Sequence, residues 1–247
     1  MYPDLQTVKQ IAAGGAYKRV PVCCEILSDT YTPVEVIRIL RKASRHCYLL
    51  ESASQEEAWG RYSFLGYDPT MEITCLDGEV TIRENLGDGT ETVTTKHVDH
   101  PGDTLREVLA RYKSPVMEKM PTFTGGLVGY FSYDYIKYSE PKLKLTSEGQ
   151  PDFRDMDLML FNEVIAFDHY RQKIMLITGV MTEDIEGSYQ KAEETLEDMA
   201  NLIREGEKET FPTLQLKTEI EPVFPKEQYC TMVEKPNSTS VREIFSR

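Results

Sequence analysis

The sequence predicts an α+β protein built from two packed antiparallel β-sheets with flanking helices. Its strand-like segments follow one another in hairpins, most clearly around the pair Asp77-Gly78, which suits a tight type I′ turn. The helical segments are scattered instead of alternating with single strands, which argues against a parallel βαβ sheet. A chain of 247 residues is long enough to bury a sizeable core as one large domain or two small ones.

The first predicted elements are a helix, a strand and a second helix. Residues 4–13 have helical spacing of apolar side chains, and Arg19–Leu27 is typical of a strand. The second helix has a well-specified start. Thr32 can cap it, Pro33 suits its first position, and Glu35 completes a capping box.

The middle of the chain predicts mostly strands. Four of them are expected at Cys47–Glu51, Arg61–Leu65, Met71–Leu76 and Glu79–Arg83. Asp103 is expected to cap a helix that runs to Tyr112. The segment Gly126–Ser132 is expected to be a buried, central strand whose glycines admit close neighbours.

The last third predicts a hairpin and a long helix. Leu158–Phe167 and Lys173–Thr178 are expected to pair around the segment 168–172, and Ser188–Glu205 forms an acidic helix with one apolar stripe that places it at the surface. After Phe211 the sequence is linker-like. We therefore divide the chain into a domain at 1–210 and a linker region at 211–247.

Charge and composition exclude several classes of function. With 41 acidic and 28 basic residues, the formal net charge of -13 opposes binding to nucleic acids and to anionic membranes. No apolar run approaches the roughly 20 residues of a membrane-spanning helix, and the start lacks the features of a signal peptide. We expect a cytoplasmic protein whose five cysteines are reduced, because they are odd in number and show no C-x-x-C spacing.

The residues alone predict neither a catalytic site nor a metal site. Phosphate-binding loops, zinc-protease motifs and nucleophile elbows are absent from the sequence. The nearest histidine pair, His97 and His100, lies in a polar segment with no further ligand beside it, so a solvated pair is favoured over a metal site. The glycines at 125, 126 and 129 are not followed by a helix, which favours close backbone packing over an anion cradle.

A set of ordered motifs nevertheless resembles one known family, component I of anthranilate synthase. The matching stretches are Val20-Pro-Val22, Asp29-Thr-Tyr-Thr-Pro33, Leu49-Leu-Glu-Ser52, Gly60-Arg-Tyr-Ser-Phe-Leu-Gly66 and Phe123-Thr-Gly-Gly-Leu-Val-Gly-Tyr-Phe-Ser-Tyr-Asp134. Weaker matches at 157–169 and 229–233 extend the similarity to Lys235. Each stretch is weak alone, whereas their common order is specific.

The resemblance implies a lyase of tryptophan biosynthesis. Such an enzyme converts chorismate to anthranilate and pyruvate with Mg2+ and with ammonia from a glutamine amidotransferase partner, and tryptophan inhibits it by feedback. Residues 236–247 depart from the pattern and begin with Pro236, which interrupts the family's helix. By resemblance, 211–247 holds a linker and the truncated start of the chorismate-binding domain. The magnesium ligands are absent, and we expect this fragment to be inactive alone.

The resemblance also implies an inhibitor site. Glu51 and Ser52 would face the amino group of bound tryptophan, because charge-assisted hydrogen bonds suit an ammonium. Pro33 and Arg61 occupy positions of further pocket members, and Arg61 stands where some relatives have lysine. Each residue also has a plain structural explanation, as a strand end, a surface ion pair or a helix start.

Three other interpretations stay open at this point. Aminodeoxychorismate synthase shares the family fold and carries a tryptophan pocket in some members. The chain could instead act as a non-catalytic module that binds tryptophan or the amidotransferase. A fragment with no function is the third interpretation, since strands meant for a missing half would leave exposed sheet edges.

Overall fold

The structure, a computed structural model, describes residues 1–51, 60–87, 89–140, 142–143, 153–213, 215, 219 and 221–234. Its contacts divide the chain into two units, Met1–Thr210 and Phe211–Arg247. In the second unit residues 226–234 are helical. All the elements named below belong to the first unit.

Four α-helices and ten β-strands make up the first unit as described. The helices are α1 (Leu5–Ala13), α2 (Pro33–Ala43), α3 (Pro101–Arg111) and α4 (Ile185–Glu205). The strands are β1 (Arg19–Leu27), β2 (Cys47–Leu50), β3 (Tyr62–Tyr67), β4 (Met71–Leu76), β5 (Glu79–Glu84), β6 (Thr92–His97), β7 (Gly126–Phe131), β8 (Met156–Phe161), β9 (Val164–Asp168) and β10 (Lys173–Met181). A 3-10 helix, Tyr133–Tyr138, follows β7.

The strands form two five-stranded antiparallel sheets, which confirms the predicted fold class. Sheet 1 has the order β1-β10-β9-β3-β2, and sheet 2 has the order β6-β5-β4-β8-β7. The chain passes between the sheets twice, from β3 to β4 and from β8 to β9. The two sheets are therefore joined by short connections near their middles.

Each sheet has its own apolar core. One face of sheet 1 packs against α1, α2 and α4 through Val8, Val36, Leu40, Leu65, Leu176 and Met199. The other face packs against Met117, Met120 and Phe123 of the segment before β7. Sheet 2 packs against α3 through Ile73, Leu158, Leu105 and Val108. The single apolar stripe of α4 accounts for its place at the edge of the first core.

Two local predictions are confirmed in atomic detail. The Glu35 backbone N–H donates to the Thr32 hydroxyl at 3.2 Å, and the Thr32 N–H donates to the Glu35 carboxylate at 3.3 Å, so the capping box at α2 is complete. At the β4–β5 turn, Asp77 and Gly78 both have positive φ, 46° and 82°. Both values are those that a type I′ turn requires.

The predicted cap of α3 is wrong. The helix begins at Pro101, with His100 in the capping position and no side-chain hydrogen bond there. Asp103 lies in the first turn, where its carboxylate accepts a hydrogen bond from Arg106 at 2.5 Å. Proline has the fixed φ of a first helical position, so the helix starts before the acidic residue.

Two strand predictions are also corrected. The apolar run predicted as one strand at Leu158–Phe167 is split between β8 in sheet 2 and β9 in sheet 1. The strand β7 is a half-exposed edge of sheet 2, not a buried central strand. Its glycines do admit a close neighbour, because a Cβ on Gly129 would lie 2.0 Å from the Asp157 carbonyl oxygen.

A buried arginine connects the two sheets. Arg19, at the start of β1, is 4% exposed. Its guanidinium donates to the carbonyl oxygens of Thr124 at 3.1 Å and Asn162 at 2.8 Å. Burial lowers its pKa to about 10, so the group keeps its charge at neutral pH. The side chain lies over Gly179, where a Cβ would fall 1.9 Å from the arginine Nε.

We predict that Gly179→Ala destabilises the protein by about 2–4 kcal/mol, because the added methyl group displaces a buried charge from its hydrogen-bond acceptors. The matched control is Gly102→Ala, since nothing lies closer than 3.6 Å to a Cβ at Gly102. Urea unfolding followed by circular dichroism measures both. Equal stabilities for the two variants would contradict the role given to Arg19.

Candidate ligand-binding site

Three elements meet at one end of sheet 1. The helix α2 packs on β2 and β3 and is joined to β2 by the short segment 44–46, so the two run in opposite directions. The start of α2 at Pro33 therefore lies near the end of β2 at Leu50. Because β2 and β3 are antiparallel, the start of β3 lies at this end too.

Glu51 lies at this end as an exposed residue directly after β2. The last pair of these strands is Leu50 with Phe64, and we infer from continued strand spacing that Glu51 lies opposite Ser63. By strand alternation both residues share the face of sheet 1 that α2 covers. The Ser63 hydroxyl lies 2.7 Å from Nε2 of His169. We call Glu51, Ser63 and His169 the polar rim.

The members of the polar rim differ in exposure. Ser63 is buried, whereas Glu51 and His169 are exposed. Two further contacts position His169. It stacks near Phe167, with ring centroids 6.5 Å apart, and the backbone N–H of His169 donates to the Arg61 carbonyl oxygen at 2.9 Å. The rim thus presents a carboxylate and an oriented imidazole to solvent.

The Arg61 side chain turns away from the polar rim and pairs with Asp168. Its Nε and terminal nitrogen donate to the two carboxylate oxygens at 3.0 and 2.6 Å. The guanidinium carbon lies 4.8 Å from the ring centre of Tyr62 and 5.7 Å from that of Tyr170. The hydrogen bonds to Asp168 raise the pKa of Arg61, so this group remains charged.

Asp168 is held more firmly than its partner. It is 2% exposed, and its Oδ1 also accepts from the backbone N–H groups of Tyr170 at 3.2 Å and Arg171 at 3.1 Å. Burial acts to raise the pKa of Asp168, but the hydrogen bonds from Arg61 and these N–H groups outweigh it and lower the pKa below its usual value. The carboxylate is therefore ionised at neutral pH.

Of the four site residues predicted from the sequence, Glu51, Pro33 and Arg61 lie at this end of sheet 1. Pro33 is half-buried in the first turn of α2. Ser52 lies outside the described residues. Sequence reasoning missed Ser63 and His169 as site residues, although Ser63 lies inside the matching stretch 60–66 and His169 closes the weaker match at 157–169.

A cavity of about 710 Å3 opens beside β2, near its other end. Its lining includes Arg45, Tyr48, Val128 and Met159, but none of the predicted site residues. The Tyr48 hydroxyl is buried without a hydrogen-bond partner in this part of the described structure. The lining also holds the carboxylates of Asp157 and Glu209 and the imidazole of His46. Because the family resemblance implies Glu51 and Pro33 instead, we place the candidate site at the polar rim.

The described residues contain no group of three histidine, cysteine, aspartate or glutamate side chains arranged to hold a metal ion. All five cysteines are free thiols, and burial raises the pKa of the Cys23 thiol to about 12, which makes it a poor nucleophile. No helix in the described ranges is both long and apolar enough to span a bilayer.

The comparisons with known proteins agree on one family. The sequence model of the family described as chorismate binding enzyme matches residues 45–239. Anthranilate synthase component 1 of Acinetobacter calcoaceticus is 33% identical over 94% of this chain and 46% of its own length. Anthranilate synthase alpha subunit 2, chloroplastic, of Arabidopsis thaliana is 30% identical over 91% of this chain and 38% of its own length.

A solved structure shows the same fold. Anthranilate synthase component I from Streptococcus pneumoniae superposes with a TM-score of 0.52 at 24% identity, over 86% of this chain and 44% of that one. The chain thus spans less than half the length of these relatives.

We predict that Asp168→Asn lowers the free energy of unfolding at pH 7 by about 1–2 kcal/mol, because it removes the negative charge from the ion pair with Arg61. The loss is modest because the pair is partly exposed to solvent. The pKa of Asp168 is lower in the folded protein, so its stabilising contribution is present above the unfolded pKa of about 3.9 and is lost as pH falls through the folded value. The difference between wild type and variant should therefore shrink below about pH 4.

Urea unfolding from pH 7 to pH 3 measures this difference. Asp99→Asn serves as the control, because Asp99 is an exposed residue. A stability difference that stayed constant over the whole range would contradict the ionised state assigned to Asp168.

Proposed function

The chain belongs to the chorismate binding enzyme family, and we propose that it is the amino-terminal, tryptophan-binding part of an anthranilate synthase component I. The relatives that carry this name align with nearly the whole chain. The name of these relatives favours the reaction that leads to tryptophan over the other reactions of chorismate-using enzymes. A site for tryptophan on this part would give the pathway feedback inhibition.

The proposal rests on two observations, the exposed Glu51 directly after β2 and the hydrogen-bonded pair of Ser63 and His169 at the adjoining strand ends. A free α-amino acid presents an ammonium and a carboxylate a few ångströms apart. Glu51 offers a charge-assisted acceptor to the ammonium, and the oriented His169 ring offers a donor to the carboxylate. The resemblance to the family's Leu-Leu-Glu-Ser motif implies that Ser52 adds a hydroxyl to the ammonium side.

The ring of the ligand needs an apolar wall. Tyr31 and Pro33 are both half-buried at the start of α2, and Tyr31 packs against the core of sheet 1. A flat aromatic ring gains from packing against such side chains. We propose that the indole ring of tryptophan packs against these two side chains, in keeping with the feedback role.

We assign no catalytic step to the described residues. In the family the conversion of chorismate uses Mg2+ and ammonia from a glutamine amidotransferase partner. The chain spans less than half the length of the relatives, and the part that the structure describes offers no cluster of metal-binding side chains. Binding of the inhibitor is the role proposed for this chain, and the catalytic reaction and the partner belong to the complete enzyme.

We predict that isothermal titration detects binding of L-tryptophan to the wild-type chain and that Glu51→Gln weakens it about tenfold or more, because a hydrogen bond to a charged group contributes about 1.5–3 kcal/mol. Ser52→Ala should also weaken binding. Glu118→Gln is the matched control, since Glu118 is exposed on the segment before β7.

Absence of binding to the wild-type chain, or equal affinities for Glu51→Gln and Glu118→Gln, would refute the proposed site. The same samples should be tested with chorismate and ammonia. Anthranilate fluorescence from this chain alone would overturn the assignment of a binding role without catalysis. Aminodeoxychorismate as the product would favour aminodeoxychorismate synthase over anthranilate synthase.

A further inference from the structure

The strand β7 is an edge of sheet 2, and its outer side is unpaired in the described part of the chain. Residues 126–131 pair with β8 alone, and their backbone makes no hydrogen bond to any other described residue. An edge of this kind offers a row of free N–H and C=O groups to another strand. The backbone of β7 can therefore pair with one further strand.

The other three sheet edges are protected against such pairing. On β1, Pro21 removes one donor, and Tyr2 and Cys23 exchange backbone hydrogen bonds of 2.8 and 2.7 Å. The strand β2 has only four residues, and β6 carries the charged Lys96. Short strands, charges and prolines are the usual means of blocking an edge. The six residues of β7 include no charge and no proline.

Exposed aromatic side chains surround the free edge. Tyr130 is 38% exposed, Phe131 51%, Phe153 56% and Tyr133 89%, and the rings of Tyr130 and Phe153 stack with centroids 5.5 Å apart. At about 200 Å2 for each aromatic side chain, these four expose roughly 450–500 Å2 on one copy of the chain. Two copies that met here would bury up to about 1,000 Å2 in total, which reaches the lower limit of a specific interface.

The side chains of β7 are arranged symmetrically about Gly129. Leu127 and Phe131 lie on the face toward α3, where both pack against the core of sheet 2. Val128 and Tyr130 lie on the opposite face, where they line the cavity. An antiparallel pair of β7 strands centred on Gly129 sets Leu127 opposite Phe131 of the second copy. The same pairing sets Val128 opposite Tyr130, so each face of the sheet stays continuous.

This register suits a second copy of the same strand. Aromatic and aliphatic side chains that face each other across two strands contribute about 0.2–1 kcal/mol per pair, and a two-fold axis produces each pair twice. No charged residue of β7 has to lose its water. At the axis, two glycines leave no side chain between the backbones.

We propose that β7 is a self-association edge, through which two copies of this chain pair antiparallel about Gly129 and join their second sheets into one ten-stranded sheet. The interface is isologous, since the same strand is used by both copies. It involves none of the residues of the polar rim and stands apart from the proposed tryptophan site.

Sedimentation velocity of the full chain at about 1–200 μM tests the association, because this range covers the dissociation constants of weak and moderate dimers. We expect the 28.3 kDa monomer to give way to a species of twice that mass as concentration rises. Added salt should favour the dimer, because each copy has a formal net charge of -13 and salt screens the repulsion between them. A chain that stays monomeric over the whole range at high salt would overturn the proposal.

The variant Tyr130→Lys should raise the dissociation constant of the dimer about tenfold or more, because a lysine blocks an edge and two aromatic–aliphatic pairs are lost. Val93→Lys is the matched control, since Val93 is 59% exposed on β6, the other edge strand of the same sheet. Circular dichroism confirms that both variants are folded. Equal weakening by the two variants would show that association does not use β7.

Disulfide trapping tests the register directly, in a background where the exposed Cys230 is replaced by serine. A mixture of Val128→Cys and Tyr130→Cys chains should form a cross-linked dimer on mild oxidation, because directly opposite Cβ atoms lie close enough for a disulfide. Each variant alone, and the background chain, should give much less. Absence of a cross-link in the mixture, or equal cross-linking in the separate samples, would refute pairing about Gly129.

Discussion

The Arg19 guanidinium is the contact on which the arrangement of the two sheets depends. It projects from β1 of sheet 1 and donates to the carbonyl oxygen of Asn162, where the chain crosses from sheet 2 to sheet 1, and to that of Thr124, just before β7. A buried charge is costly unless its donors are satisfied. Two backbone acceptors from different parts of the chain therefore fix one relative position of β1, the crossing and the start of β7.

This constraint extends to the candidate site through the strands themselves. The crossing at Asn162 sets where β9 begins, and β9 sets where Asp168 and His169 emerge at the end of sheet 1. Since β3 pairs with β9 and β2 pairs with β3, the same register places Glu51, Ser63 and Arg61 beside them. The position of the polar rim thus depends on backbone pairing between strands that are far apart in the sequence.

The sequence predicted elements whose signals are local. The bounds of β1 and the capping box of α2 follow from alternation and from a few adjacent residues. It did not predict that β7 is an edge strand, because its glycines remove the side chains that would show which face is buried. The crossing inside the run 158–167 was also hidden, because strands of both sheets are equally apolar there.

The same distinction applies to the site. Resemblance predicted Glu51, Ser52, Pro33 and Arg61 from motifs, and three of them lie at one end of sheet 1. The pairs Arg61–Asp168 and Ser63–His169 join residues 107 and 106 positions apart. No local sequence pattern predicts contacts over such a separation. Only the register of three strands brings them together.

The most direct test of the account is a crystal structure of the chain grown with L-tryptophan. We expect the ligand ammonium within hydrogen-bond distance of the Glu51 carboxylate, its carboxylate near His169, and the Arg61–Asp168 pair unchanged. Tryptophan bound instead in the cavity beside Tyr48, or crystals with an empty polar rim at saturating ligand, would contradict the assignment of an amino-acid site to this end of sheet 1.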